Sequence, residues 1–105
     1  MDIQLKKGLL EYCVLATLMK SDSYGYQMVK DISNHIEITE STLYPILRRL
    51  ENSGHVSIYI VEHNMRLRKY YQITSSGKEQ LQEFVQEFNT VLDVYEYIKE
   101  TVESE

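Results

Sequence analysis

Residues 41–52, STLYPILRRLEN, decide the fold. An i, i+3, i+4, i+7 spacing of apolar residues indicates a helix with one buried stripe, and it is formed here by Leu43, Ile46, Leu47 and Leu50. The outward face of this helix carries small polar residues, a proline and two adjacent arginines, although the whole chain has a net charge of −5. The inner face is that of an ordinary core helix, and the outer face is suited to contact another molecule.

The ends of this helix have recognisable signals. Thr39 and Ser41 both offer an oxygen that can cap its N-terminus, and Gly54 suits the left-handed position beyond its C-terminus. If Ser41 is the cap, Pro45 falls at the end of the first turn, where its missing N–H costs little.

Composition predicts one small domain with an appended element, in a soluble cytoplasmic protein. The chain has 105 residues and one cysteine, which precludes an internal disulfide, and no apolar run reaches the roughly 18 residues of a membrane span. Its charge is unevenly divided. Residues 1–78 have a net charge of +2, whereas residues 79–105 hold one lysine and eight acids, a net charge of −7. The overall acidity therefore does not argue against an anionic partner for the first part.

The segments around the central helix predict the remaining elements. Two helices precede it, at about 5–19 and 24–33, the second with Tyr26, Val29 and Ile32 inward. Two strands follow it, at about 55–62 and 67–73, and one of Thr74 to Ser76 caps a last helix, for which Ser76 with Glu79 fits a capping box. We expect a mainly α protein with a small β-hairpin: a winged helix-turn-helix domain at 1–75 and a C-terminal dimerisation helix at 76–105.

The last helix carries a heptad pattern over its whole length. Its apolar residues recur alternately three and four positions apart, at Leu81, Phe84, Phe88, Val91, Tyr95, Ile98 and Val102. A helix over 76–103 is on the order of 40 Å long, at about 1.5 Å per residue. A body of this size cannot cover such a seam, so the pattern predicts a partner chain.

In winged helix-turn-helix folds the third helix enters the DNA major groove by its N-terminal part. The side chains expected to face the groove are those of Ser41, Thr42, Tyr44, Pro45 and Arg48, with Arg49 on the flank. Arg48 can read guanine with two hydrogen bonds. The alternative is that both arginines only solvate an exposed face or pair with nearby acids.

The predicted hairpin concentrates cations near its tip. Arg66, Arg68 and Lys69 lie beside Asn64, and a tip of this kind can bind the phosphate backbone or enter a minor groove. The alternative is an edge strand protected from aggregation by its charges.

Four motifs resemble the PadR family of transcriptional regulators in its short subfamily, whose winged domain is followed by a single helix: LKKGLLEYCVLATL, DSYGYQMVKDI, ESTLYPILRRLENSGHV and EHNMRLRKYYQIT. The resemblance implies a homodimer that represses a promoter carrying an inverted repeat. It also implies an interface of the first and last helices, including Leu9 and Cys13, and a phosphate contact from Tyr24 or its neighbours. Members often have glycine where this chain has Met65. If that position needs a positive φ, methionine costs roughly 1 kcal/mol there, so the turn type stays open.

Some PadR-like dimers bind flat aromatic compounds between their subunits. This chain has no tryptophan. A cavity for a small aromatic effector could instead be lined by Tyr12, Met19, Phe88 and Tyr95. The alternative is that these side chains are plain dimer core.

Other classes of function find little support in the sequence. The three histidines and one cysteine show no metal-ligand spacing, and no nucleophile or phosphate-loop motif is present, so we expect no enzyme and no cofactor. The rival hypothesis is a winged-helix module that binds another protein, with a basic hairpin that is mainly structural.

Overall fold

The computed structural model describes all 105 residues as four helices and one hairpin. In chain order these elements are α1 (Ile3–Lys20), α2 (Gly25–Ser33), α3 (Glu40–Asn52), β1 (Val56–His63), β2 (Arg66–Ile73) and α4 (Ser75–Glu103). The strands pair antiparallel. The predicted winged helix-turn-helix with a long last helix is confirmed.

The apolar stripe of α3 lies at the centre of the molecule. Leu43, Leu47 and Leu50 are fully buried, and Ile46 is nearly so, in one cluster with apolar residues of α1, α2 and both strands. Fully burying side chains of this size contributes about 1.5–3 kcal/mol each. In α2 the expected inward position of Tyr26 is wrong. Its side chain is 60% exposed, and the core is entered instead by Met28.

The N-cap of α3 is Thr39, whose hydroxyl accepts a hydrogen bond from the Thr42 N–H at 3.4 Å. The alternative in which Ser41 caps the helix is wrong, so Pro45 lies in the second turn and not at the end of the first. Pro45 has no N–H to donate to the Ser41 carbonyl. Because Ser41 is exposed, solvent can take over that hydrogen bond.

The first turn of α4 is fixed to the turn that precedes β1. Thr74 is its N-cap: the Thr74 hydroxyl accepts a hydrogen bond from the Gly77 N–H at 3.1 Å and donates one to the Gly54 carbonyl at 2.7 Å. The predicted capping box of Ser76 with Glu79 is wrong, because Ser76 Oγ lies instead 2.8 Å from Nδ1 of His55.

The tip of the hairpin is a two-residue loop. His63 pairs with Arg66, and the residues between them, Asn64 and Met65, have φ values of 50° and 64°. Two central residues with positive φ define a type I′ turn, which matches the twist of the flanking strands. Both strands therefore extend closer to the tip than the sequence predicted.

Met65→Gly is expected to raise the free energy of unfolding by about 1 kcal/mol, because Met65 holds a left-handed conformation that glycine adopts without steric cost. Urea unfolding at one fixed protein concentration measures the change. Met65→Ala keeps a Cβ and is the matched control, since it should leave stability nearly unchanged. Equal stability of the glycine and alanine variants would contradict the argument.

The second half of α4 projects from the body. Every residue from 89 to 105 is exposed, and the molecule measures 63 × 26 × 20 Å. None of the helices combines the length and the apolar character needed to cross a lipid bilayer.

Candidate nucleic-acid interface

The outward face of α3 is open to solvent along its length. The predicted groove-facing residues are all exposed: Ser41, Thr42, Tyr44, Pro45 and Arg48. The chain has a single ion pair, and Arg48 is not part of it. The Arg48 guanidinium is therefore available to a ligand.

Arg49 is placed differently from Arg48. Its guanidinium donates a hydrogen bond to Oε2 of Glu11 at 3.2 Å, which ties α3 to α1. The Arg49 side chain is still 54% exposed. Arg48 is thus the arginine of α3 that is free of internal partners.

Tyr44 packs against the first residue of α2. A Cβ atom added to Gly25 would lie 2.9 Å from Cζ of Tyr44 and closer still to its hydroxyl oxygen. A side chain at position 25 would therefore push the Tyr44 ring out of its place. The sequence carries no signal for this contact, because the two residues lie on different helices.

A cleft of about 580 Å³ separates α2 and α3 from the hairpin. It brings together four of the predicted DNA-binding residues, Tyr24, Tyr44, Arg68 and Lys69. Its other lining residues, which the sequence analysis did not propose as site residues, are Gly25, Tyr26, Glu40, Leu67 and Tyr71. Arg68, Lys69 and Glu40 thus line this space beside the start of α3.

The cations of the hairpin do not share one face of the sheet. Because successive side chains of a strand alternate, Arg66 and Arg68 point to one face and Lys69 to the other. Lys69 is exposed, whereas Arg68 is only half-exposed. Asn64 lies in the turn, two residues before Arg66 and four before Arg68.

A short third strand segment joins the hairpin to the start of α2. Ser23 and Tyr71 exchange two backbone hydrogen bonds, of 3.2 and 2.8 Å. Tyr24 is thereby placed beside Tyr70, with ring centroids 5.4 Å apart, and the Tyr59 ring lies 5.7 Å from Tyr70 on the other side. These three tyrosines form an aromatic row across the sheet.

Both ends of the aromatic row are held. The Tyr59 hydroxyl donates a hydrogen bond to Oδ2 of Asp22 at 2.7 Å, which raises the pKa of Tyr59 above its ordinary value. At the other end Cζ of Arg68 lies 4.1 Å from the centroid of the Tyr24 ring. This is a cation–π contact between the hairpin and the N-terminus of α2.

The predicted dimerisation residues fall into two groups. Leu9, Cys13, Leu81, Phe84 and Phe88 are half-buried where α1 and α4 meet, and the Tyr12 and Phe84 rings stack there with centroids 4.0 Å apart. Burial raises the pKa of the Cys13 thiol. The other residues of the seam, Val91, Tyr95, Ile98 and Val102, are 50% to 67% exposed and extend beyond the body.

The predicted effector-binding residues do not all meet in one protomer. Tyr12 and Phe88 line a cavity of about 270 Å³ between α1 and α4. Met19 lines a separate pocket of about 320 Å³, and Tyr95 lies outside both. No three His, Cys, Asp or Glu side chains lie close enough together to hold a metal ion.

Two further cations lie near the start of α3. Lys6 and Lys7 of α1 line a pocket of about 220 Å³ that they share with Thr39 and Thr42. A helix N-terminus favours negative charge, and lysines beside it add to that preference. No pattern in the sequence indicates these lysines, because only tertiary packing brings α1 to the N-terminus of α3.

Comparison with known proteins identifies relatives of the chain. The family model described as "Transcriptional regulator PadR-like family" matches residues 14–83. A PadR family transcriptional regulator from Eggerthella lenta DSM 2243 is 33% identical, with a TM-score of 0.82, over 91% of this chain and 86% of that one. A PadR-like transcriptional regulator from Bacillus cereus strain ATCC 14579 is 31% identical, with a TM-score of 0.80, over 90% and 95% of the two chains.

A third structure shares the fold at lower identity. Bacillus subtilis PadR in complex with operator DNA is 24% identical, with a TM-score of 0.69, over 73% of this chain and 46% of that chain. At this identity the similarity concerns the fold alone.

Proposed function

Because the chain belongs to the PadR-like family of transcriptional regulators, we propose that it is a repressor that binds an inverted-repeat operator in double-stranded DNA as a homodimer. The observation that carries this proposal is the solvent-open outer face of α3, with a free arginine beside a cleft lined by Arg68 and Lys69. A repressor of this kind works on the chromosome and hence in the cytoplasm.

The outer face of α3 supplies the chemistry of base recognition. A guanidinium without an internal partner can donate two hydrogen bonds to guanine, and Arg48 has that freedom. The hydroxyl groups of Ser41 and Thr42 can bond phosphates or base edges near the helix N-terminus, where negative charge is favoured. Tyr44 and Pro45 shape the surface around them.

The hairpin supplies phosphate contacts that do not depend on sequence. Asn64, Arg66, Arg68 and Lys69 lie in one arm that can straddle the DNA backbone next to the groove that α3 enters. The acids of residues 79–105 belong almost entirely to α4, whose second half projects away from the body. The charge of the chain is therefore separated into a winged domain with a net charge of +1, proposed at 1–75, and an acidic helix.

A second copy of this chain is the proposed occupant of the seam on α4. In the heptad frame of the seam half of the flanking positions from 85 to 101 are apolar. They hold Val85, Leu92 and Val94, which are 45% to 55% exposed, and the others hold Glu87, Lys99 and Thr101. Acids occupy outer positions of the helix, with Glu87 as the exception. Glu87 is therefore the one acid of α4 that flanks the interface when two copies meet, and the apolar flanking residues suit a helix that packs against more than one neighbour.

The dimer has a geometric requirement. Two α3 helices must present their N-terminal residues on one side of the assembly, about 34 Å apart or a multiple of that distance, to enter successive major grooves. The interface proposed here joins α1 and α4 of both copies.

The α1–α4 cavity of about 270 Å³ is small for a ligand pocket, and the second copy would enlarge it toward Tyr95. A small aromatic effector that binds there is the proposed signal for release of DNA.

Arg48→Ala is expected to weaken binding to specific DNA by about 1–3 kcal/mol, because it removes a base contact. Lys69→Ala is expected to weaken binding to all DNA modestly and to lower the salt slope, because it removes a phosphate contact. Fluorescence anisotropy with DNA from upstream of the protein's own gene, and with random DNA, at several salt concentrations, measures both effects.

The outcomes of this titration separate the hypotheses. Equal losses on specific and random DNA for Arg48→Ala would contradict base recognition by this residue. No binding of the wild-type protein to either DNA at low salt would favour the protein-binding module. Adding flat aromatic compounds to the bound complex tests the effector, since release of the upstream DNA is the expected response.

A further inference from the structure

The Arg68 guanidinium is not a free cation like that of Arg48. It is half-exposed and lies on the face of the Tyr24 ring, with Cζ 4.1 Å from the ring centroid. Tyr24 belongs to the turn before α2, whereas Arg68 belongs to β2. The contact therefore joins the hairpin to the helix-turn-helix at the edge of the cleft.

The Tyr24 ring is itself held in place by neighbouring aromatic rings. Tyr70 packs against it at 5.4 Å, Tyr59 packs against Tyr70 at 5.7 Å, and the hydroxyl of Tyr59 is bonded to Asp22. The backbone next to Tyr24 is held as well, because Ser23 is bonded twice to Tyr71. The Tyr24 ring is thus a rigid platform for a long, otherwise flexible side chain.

We propose that Tyr24 is a positioning residue, whose ring face holds the Arg68 guanidinium in place for the DNA phosphate backbone. A flexible arginine loses rotamer freedom when it binds a phosphate, and the stack removes part of that freedom before binding. The stack leaves the edges of the planar guanidinium free to donate hydrogen bonds. This role rests on the proposed DNA-binding function and assigns the ring, and not the hydroxyl, as the part of Tyr24 that matters.

Two substitutions at one position separate the ring from the hydroxyl. Tyr24→Phe keeps the ring and should bind upstream DNA within about twofold of the wild-type protein. Tyr24→Leu removes the ring and should bind about tenfold more weakly, with a salt slope that is smaller by about one. Arg68→Ala should weaken binding to upstream DNA by a similar factor. The double variant Tyr24→Leu/Arg68→Ala should bind no more weakly than Arg68→Ala alone.

The contact can also be observed without DNA. An arginine on a ring face has side-chain protons shifted upfield by the ring current, so NMR of the free protein should show this shift for Arg68. The shift should persist in Tyr24→Phe and disappear in Tyr24→Leu. Circular dichroism of each variant confirms that the fold is kept.

Three results would overturn the inference. Equal losses for Tyr24→Phe and Tyr24→Leu would assign the effect to the hydroxyl, as expected for a direct phosphate contact. If the double variant loses DNA affinity by the product of the two single-variant factors, the two residues act independently. Absence of the ring-current shift would show that Arg68 does not stack on the Tyr24 ring. A wild-type protein that binds no DNA would instead overturn the proposed function, whatever the NMR shows.

Discussion

Phe88→Glu is expected to convert the proposed dimer to a monomer. Phe88 is the third of the seven seam residues and is half-buried beside Phe84, with ring centroids 5.3 Å apart. In the proposed dimer a glutamate there places a charge from each copy in the interface, without a partner of opposite sign. Analytical ultracentrifugation should show the mass falling from twice the chain mass to the 12.4 kDa of one chain.

Phe88 also contacts its own chain, so a second variant is needed. Ile98 lies on the same seam in the exposed half of α4, where it supports no core packing. Ile98→Glu should therefore also give a monomer while leaving the winged domain intact. Tyr97→Glu is the matched control, because Tyr97 is 72% exposed and lies on the other side of the helix. It should remain a dimer.

Loss of the dimer should have a large effect on DNA binding. Two linked half-site contacts gain an avidity of about 10²–10⁴ over one. Binding to upstream DNA should accordingly fall by at least about a hundredfold in Phe88→Glu, whereas weak binding to random DNA should fall much less. A Phe88→Glu protein that still sediments as a dimer would refute this interface.

Local periodicity was enough to predict the order of elements. The apolar stripe of α3 has helical spacing, and all four of its residues lie in the core. The strands were predicted from their β-branched and aromatic residues, and they differ from the observed ones by a residue at the ends. Each of these patterns depends on the apolar period of a single element, so it can be recognised without knowledge of the tertiary structure.

Competition between neighbouring residues was harder to predict. Thr39 and Ser41 are both good caps, and the structure uses Thr39, which moves Pro45 into the second turn. In the same way Ser76 has the spacing of a capping box, but His55 bonds its hydroxyl and Thr74 takes the cap. At α4 the choice of cap is fixed by residues that are distant in sequence, His55 and Gly54.

Contacts between elements left no trace in the sequence patterns. Tyr24 and Arg68 meet at the cleft, where the Arg68 guanidinium lies on the Tyr24 ring. The spacing of these two residues in the sequence does not indicate this contact. The close approaches at Gly25 and Gly77 are equally invisible, since a glycine in a helical pattern reads only as a weak helix former. Such contacts follow from packing geometry, which one sequence does not display.

Gly77→Ala is expected to lower the free energy of unfolding by about 3 kcal/mol, which is near the upper end for an overpacked site. A Cβ atom there would collide with the backbone carbonyl oxygen of His55 and lie 2.8 Å from Cγ1 of Ile73. The carbonyl cannot rotate away, because it accepts a hydrogen bond from the Thr74 N–H at 3.0 Å. The first turn of α4 must therefore shift, and Thr74 then loses its cap geometry.

Urea unfolding at one fixed protomer concentration measures this loss, since association of the folded chains would otherwise change the apparent stability. Ser75→Ala is the matched control: it places an alanine in the same turn, at an exposed position, and should change stability by less than about 0.5 kcal/mol. A Gly77→Ala protein as stable as the control would mean that α4 can tilt freely at its start. The winged domain would then not fix the direction of α4, and in the proposed dimer the spacing of the two α3 helices would depend on the seam alone.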